Sequence, residues 1–133
     1  MFKLHPVLEK DTVAVASLAL SRVLLMNDAR FPWLILVPQR EGMREIHKLS
    51  RADQTQLMTE AMRASEILEA LFAPDKINIG ALGNLVEQLH VHVIARFTTD
   101  AAWPGPVWGY GTAEPYAPDE LERVRSRLVE DFG

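Results

Sequence analysis

Two histidines and a glutamine alternate with apolar residues in segment 88–94, which has the sequence Gln-Leu-His-Val-His-Val-Ile. Because successive side chains of a β-strand point to opposite faces, this alternation predicts a strand with Gln88, His90 and His92 on one face. These side chains would follow one another at intervals of about 7 Å, since each residue of a strand rises about 3.3 Å. The apolar residues between them predict a buried opposite face.

Three interpretations of this polar face compete. In the first, it is the solvated side of an amphipathic strand. In the second, His90 and His92 bind a divalent metal such as zinc or copper, with a further ligand from His5, His47 or a carboxylate. In the third, one imidazole is a nucleophile, because a neutral imidazole with an ordinary pKa of about 6.5 is reactive near pH 7. Its other ring nitrogen must then keep its proton and be held by an acceptor, for which a backbone carbonyl would serve.

The segment resembles the signature of the histidine triad family, His-φ-His-φ-His-φ-φ, where φ is apolar. Upstream, residues 83–86 (Gly-Asn-Leu-Val) stand where family members commonly have Gly-Gln-Ser/Thr-Val. Downstream, residues 103–105 (Trp-Pro-Gly) are similar to the Trp-Pro element of the branch that hydrolyses nucleoside phosphoramidates. With the order hairpin, helix, strand and triad strand, the resemblance covers about residues 10 to 105.

The resemblance implies a nucleotide phosphate hydrolase or nucleotidyl transferase without a cofactor. His90 would attack the α-phosphate of a nucleoside phosphoramidate or dinucleoside polyphosphate and carry the nucleotidyl group covalently. His92 would donate a hydrogen bond to the phosphate oxygens, and Gln88 completes the catalytic set. The resemblance also implies a homodimer, in which the long helix and a strand meet their copies.

Four further positions match regions from which the family binds its ligand. Asn27 lies on the turn associated with the ribose hydroxyls, and Asn78 is a candidate for contacts near the phosphate. Donors around Asn84 and Leu85 would bind the phosphoryl group and stabilise charge that builds there.

The chain departs from the family pattern at the first triad position, which is Gln88 rather than histidine. A glutamine side chain donates and accepts hydrogen bonds but does not titrate near neutral pH. If this position must deliver or hold a proton for the leaving group, activity falls or the preferred substrate changes. We expect Gln88→His to raise the rate on at least one substrate. Asn84 and Leu85 also replace the usual Gln and Ser/Thr, which removes one hydroxyl donor. These departures keep open an alternative, a non-catalytic nucleotide-binding or regulatory module.

Hydrophobic periodicity predicts five strands and two helices. Residues 27–30 (Asn-Asp-Ala-Arg) are typical of the turn of an antiparallel hairpin. Since the order lacks β-α-β alternation, we expect an α+β fold with a mainly antiparallel five-stranded sheet, one long helix and a C-terminal helix. The predicted strands are 12–17, 22–26, 33–37, 76–82 and 89–95; one helix runs from a cap at Ser50 to near Phe72, and the other begins at Pro118.

Several large apolar residues stand out beside the triad segment. Trp33 is expected to pack in the core of the hairpin. Trp103 and Trp108 lie in a loop rich in proline and glycine, where they would line a nucleoside pocket or cross a dimer interface. Met58 and Met62 are expected to fill the core beneath the long helix.

The bulk composition limits the classes of function. The chain has 133 residues, of which 48% are hydrophobic and 24% charged, as is typical of one soluble domain, here residues 1–133. Its net charge of -4, without a basic run, argues against a DNA or RNA polymer as partner. There is no cysteine, no apolar stretch near the roughly 20 residues that span a membrane, and no signal-peptide pattern at the N-terminus. We therefore expect a cytoplasmic protein.

Overall fold

Five antiparallel strands form one sheet in a computed structural model that describes residues 1–133. The sheet order is β1-β2-β3-β5-β4, so the last two strands in the chain exchange places. This arrangement confirms the α+β prediction with a long helix and a C-terminal helix. The strands are β1 (Thr12–Ser17), β2 (Ser21–Met26), β3 (Trp33–Pro38), β4 (Lys76–Gly80) and β5 (Val91–Arg96); the helices are α1 (Pro6–Asp11), α2 (Arg51–Phe72) and α3 (Pro118–Phe132), with a 3-10 turn at Ile46–Lys48.

The helix limits follow from local chemistry. The Ser50 hydroxyl accepts a hydrogen bond from the backbone N–H of Asp53 at 3.1 Å, which caps the start of α2 as predicted. Ala73 adopts a left-handed conformation at its end, and Pro118 begins α3. No helix combines the length and the apolar character that crossing a lipid bilayer requires.

Two of the predicted strands are too long, and one helix was not predicted. Strand β4 ends at Gly80 rather than residue 82, and β5 begins at Val91 rather than residue 89. Before β5, the N–H of Leu89 bonds to the carbonyl of Met43 in a loop, outside the sheet. Helix α1 has six residues, too few for periodicity to reveal it, and the His5 side chain caps its first turn.

Helices α2 and α3 cover one face of the sheet, where the expected apolar side of β5 is buried. On this side the β5 residues pack against a stripe from α2, and Leu128 of α3 closes the same cluster. The predicted core role of Met58 and Met62 is wrong, because they lie on the outer side of α2 and are 62% and 40% exposed. The buried contacts join Leu89, Val91, Val93 and Ala95 to Leu57, Ala61, Ala64 and Leu68.

The opposite face of the sheet is covered by loops and by α1. Ala102 and Val107, from the segment after β5, pack on it together with Leu8 of α1. Strands β3 and β5 are therefore buried on both faces. His90, His92 and Arg96 lie on this second face, where they are buried in spite of their polarity.

A buried carboxylate ties α2 to the turn between β1 and β2. Glu60 is 2% exposed, and its two oxygens accept the backbone N–H groups of Leu20 and Ser21 at 2.8 and 2.9 Å. Gln56 donates a third hydrogen bond to it. Removing such a charged acceptor leaves buried donors without partners.

We expect Glu60→Ala to lower the free energy of unfolding by about 3 kcal/mol, because two buried N–H groups lose their acceptor. Urea unfolding followed by circular dichroism measures the change. Glu66→Ala, at an exposed position of the same helix, is the matched control and should change stability by less than about 0.5 kcal/mol. Equal effects of the two substitutions would contradict the role given to Glu60.

Candidate active site

An open cavity of about 470 Å³ lies on the loop-covered face of the sheet. Its walls come from the β2–β3 turn, the loop between β4 and β5, and the segment that follows β5. His90 and His92 line it together, as alternation along the strand predicts. The other lining residues are Met26, Asp28, Arg30, Trp33, Leu82, Gly83, Asn84, Leu85, Val86, Val107, Trp108, Gly109, Tyr110, Gly111 and Ala113.

His92 is held by the indole of Trp33. The Nε1–H of Trp33 donates to Nδ1 of His92 at 2.9 Å. Because an indole N–H can only donate, Nδ1 carries no proton and Nε2 of the neutral ring carries it. Burial, and then the neighbouring charge of His90, lower the pKa of His92 to about 4. The ring is therefore neutral near pH 7 and has an Nε2–H donor.

His90 has the opposite tautomer. Its Nδ1 lies 2.7 Å from the backbone carbonyl of Gln88. Since a carbonyl oxygen only accepts, Nδ1 must donate, and the lone pair of the neutral ring resides on Nε2. The rings of His90 and His92 are 4.9 Å apart between centroids and meet at 68°. One cavity thus contains an imidazole lone pair beside an imidazole N–H.

Gln88 contributes its backbone carbonyl to the site, whereas its side chain lies outside the cavity. Its amide oxygen accepts from the N–H of His5 at 2.8 Å, and its amide nitrogen donates to the carbonyl of Lys3 at 2.8 Å. The side chain anchors the N-terminal segment and does not line the cavity. The expected row of three polar side chains is reduced to two.

The structure brings two of the four predicted ligand-binding positions into the cavity. Asn84 and Leu85 line it, and the Leu85 side chain is almost fully exposed. The amide oxygen of Asn27 instead accepts from the N–H of Tyr116 at 2.9 Å. That of Asn78 accepts from Arg96 at 2.8 Å. Neither Asn27 nor Asn78 lines the cavity.

A buried ion pair that sequence reasoning missed forms part of the wall. Both carboxylate oxygens of Asp28 accept from the Arg30 guanidinium, at 3.0 and 2.8 Å. Burial opposes ionisation of Asp28, but the hydrogen bonds from Arg30 hold its pKa below the ordinary value. Arg30 also donates to the carbonyl of Tyr110 at 2.7 Å. The pair therefore joins the β2–β3 turn to the segment after β5.

A second buried ion pair anchors the start of that segment. Arg96 is 1% exposed and donates to both oxygens of Asp100, at 2.8 and 3.1 Å. It also donates to the carbonyl of Gly105 at 2.8 Å. Although burial opposes it, hydrogen bonding to Arg96 and to backbone N–H groups lowers the pKa of Asp100 to about 2. Arg96 thus fixes the path of the chain toward Trp108.

The metal hypothesis lacks the ligands that it needs. No group of three or more histidine, aspartate or glutamate side chains is placed to hold a metal ion. His5 caps α1, and His47 lies in a neighbouring cavity of about 340 Å³ that touches His90. His90 and His92 would be two ligands without a third.

Comparison with known proteins identifies the family. The HIT domain matches residues 7–99. A histidine triad protein from Sinorhizobium meliloti is 48% identical, with 98% of this chain and 96% of that one covered and a TM-score of 0.94. A histidine triad protein from Bradyrhizobium japonicum is 47% identical, with 99% and 98% covered and a TM-score of 0.96. The chain belongs to the histidine triad family.

A more distant structure shares the fold. Plasmodium falciparum diadenosine triphosphate hydrolase is 14% identical, with 98% of this chain and 81% of that one covered and a TM-score of 0.64. No curated protein matches this chain.

Because the Gln88 side chain lies outside the cavity, the structure does not support the expected gain in rate from a histidine at this position. Gln88→His loses the hydrogen bonds to His5 and Lys3, so we expect about 1–2 kcal/mol of lost stability and no gain in rate. Urea unfolding and nucleotide turnover measure the two effects. Glu87→Ala, at the exposed neighbouring residue, is the control for stability. A faster Gln88→His variant would contradict the placement of the side chain at position 88 outside the cavity.

Proposed function

We propose that this protein is a nucleotide hydrolase or nucleotidyl transferase that uses His90 as its nucleophile. Its substrate is a nucleoside phosphoramidate or a dinucleoside polyphosphate, attacked at the α-phosphate. The observation that carries the proposal is that, in one cavity, Nδ1 of His90 contacts a backbone carbonyl whereas Nδ1 of His92 contacts an indole N–H, which selects opposite tautomers. A lone pair that attacks phosphorus and an N–H that binds a phosphoryl oxygen are the two groups that the reaction requires.

The Gln88 carbonyl prepares His90 for attack. It holds Nδ1–H, so the Nε2 lone pair is available for phosphorus. When Nε2 forms a bond, positive charge develops on the ring. The same carbonyl stabilises this charge through its hydrogen bond.

The charge on the phosphoryl oxygens is met by neutral donors. His92 offers Nε2–H, and Trp33 prevents the ring from taking the other tautomer. Asn84 adds an amide side chain from the loop between β4 and β5. The His92 ring is held in place by Trp33 before the reaction, so little reorganisation of this donor is needed as charge develops.

The reaction has two displacement steps at phosphorus. In the first, Nε2 of His90 forms a P–N bond, and the bond from phosphorus to the leaving nitrogen or oxygen breaks. The electron pair of that bond goes to the leaving group, which takes a proton from solvent. In the second, a water oxygen attacks phosphorus, the P–N pair returns to Nε2, and a water proton passes to solvent. The product is a nucleoside monophosphate.

We expect His90→Ala to release no detectable AMP from adenosine 5′-phosphoramidate or diadenosine triphosphate, because the rate should fall by about 10³-fold or more relative to the wild type. Chromatographic assay of AMP measures this, and His47→Ala, an exposed histidine outside the main cavity, is the control. Mass spectrometry of protein denatured in alkali should detect a nucleotidyl adduct on the wild type alone.

Other outcomes would favour the rival hypotheses. A wild-type protein that binds AMP but turns over neither substrate would be a nucleotide-binding or regulatory module. Near-stoichiometric zinc that resists dialysis would favour the metal hypothesis.

We also propose that the protein is a homodimer joined at the β4 edge of the sheet. The other edge, β1, is interrupted by a register shift between Ala14 and Ala16, and Arg125 donates to its Ala14 carbonyl at 2.7 Å. Strand β4 bears Ile79, which is 46% exposed on the face covered by α2. An edge strand with exposed apolar residues is a natural site for pairing with a second copy. Further exposed apolar residues on α2 and after β4 are Met58, Met62, Leu82 and Leu85.

We expect Ile79→Lys to convert the dimer to a monomer at micromolar concentration, because it places a charge on the pairing edge. Sedimentation equilibrium measures the mass. Val129→Lys, on a partly exposed site of α3, is the matched control and should leave the dimer intact. A wild-type protein that sediments as a monomer would rule the proposal out.

A further inference from the structure

The indole of Trp108 packs edge-on against His92. The ring centroids are 5.4 Å apart and the planes meet at 73°. Gly80 lies beside His92 in the sheet, as its register partner in β4. A Cβ atom on Gly80 would come within 2.8 Å of Cη2 of Trp108. The missing side chain of Gly80 therefore creates the space that the indole occupies.

The chain on both sides of Trp108 is anchored by Arg96 and Arg30. Arg96 holds the carbonyl of Gly105 at 2.8 Å, three residues before Trp108. Arg30 holds the carbonyl of Tyr110 at 2.7 Å, two residues after it. The indole Nε1–H is buried and has no acceptor in the protein. Since a buried donor without a partner is unfavourable, the packing of the ring must account for its placement.

We propose that Trp108 is a positioning residue for His92. Seated in the space beside Gly80, its indole excludes water from the imidazole and maintains the neutral ring, with Nδ1 toward Trp33 and Nε2–H toward the cavity. The consequence for catalysis rests on the proposed function, whereas the protonation of His92 does not.

Access of water to the ring mainly determines whether His92 is protonated, because the charges around it are largely paired. Strands β3 and β4 present uncharged neighbours, Trp33 and Gly80. The charged or titratable groups on the same face and around the cavity are His90 on its own strand, Arg96 paired with Asp100, Arg30 paired with Asp28, and the phenol of Tyr110 at the cavity wall. Both arginines are thus neutralised by carboxylates. Burial is accordingly the largest cause of the low pKa of His92, followed by the charge of His90.

Loss of the indole should allow the ring to take a proton. Water would hydrate the charged form, so the pKa of His92 would rise from about 4 toward its ordinary value of 6.5. A protonated Nδ1 would then face the Trp33 N–H, and two donors cannot share a hydrogen bond. His92 would lose the contact that orients it as the pH falls below about 6.5.

Nuclear magnetic resonance of ¹⁵N-histidine in the full chain tests the proposal without any substrate. We expect Trp108→Ala to raise the pKa of His92 toward 6.5, and Trp108→Phe, which keeps an aromatic ring, to leave it near 4. Gly80→Ala should raise it too, because the new methyl group displaces the indole. Trp103→Phe, on the same segment but outside the cavity, is the control.

A double-mutant cycle separates this role from a general loss of packing. In a Trp108→Ala background, Gly80→Ala should have no further effect on the pKa of His92, since the indole that it displaces is gone. A pKa that stays near 4 in folded Gly80→Ala and Trp108→Ala variants would overturn the proposal, as would additive effects. If Trp108→Ala does not fold, the comparison of Gly80→Ala with Trp108→Phe decides. Absence of turnover in the wild type would remove the proposed function and leave this result standing.

Discussion

The hydrogen bond from the Trp33 indole to Nδ1 of His92 is the contact on which the chemistry of the cavity depends. An indole N–H has no accepting alternative, so the bond selects one tautomer of a ring that would otherwise exchange between two. The Gln88 carbonyl makes the opposite selection at His90, because it has no donating alternative. Two groups of fixed polarity thus give two identical side chains different chemistry: His90 has a free Nε2 lone pair, and His92 has an Nε2–H donor.

Outside the open cavity, both faces of β3 and β5 are covered and their residues are buried. On one face α2 and α3 provide an ordinary apolar core. The other face is covered mainly by loops, whose backbone N–H and C=O groups need hydrogen-bond partners outside helices and strands. Arg96 and Arg30 satisfy some of these groups. Each arginine is paired with a buried carboxylate and donates a further hydrogen bond to a backbone carbonyl of the segment after β5. Their pairs are therefore part of the site's architecture, although neither arginine is free to bind a phosphate.

Much of the fold could be predicted because it is encoded over short distances. Alternation along residues 88–94 identified the two faces of β5, and the capping pattern at Ser50 located the start of α2. The site was less predictable where a side chain had a choice of partners. The Gln88 side chain forms hydrogen bonds with backbone groups of His5 and Lys3, and the Asn27 side chain accepts one from the backbone of Tyr116. Hydrogen-bonding capacity is visible in a sequence, whereas the group that satisfies it is not.

The sequence by itself determined the histidine pair, its shared face and the family to which the chain belongs. Each depends on residue type and spacing within one segment, where covalent geometry sets the positions of side chains. Only the tertiary structure decided the tautomers, the exclusion of Gln88 from the cavity and the seating of Trp108 beside Gly80. Trp33 and His92 are 59 residues apart, and they meet because β5 inserts between β3 and β4. The protonation of a ring depends on such distant partners and on water access, which exist only once the chain is folded.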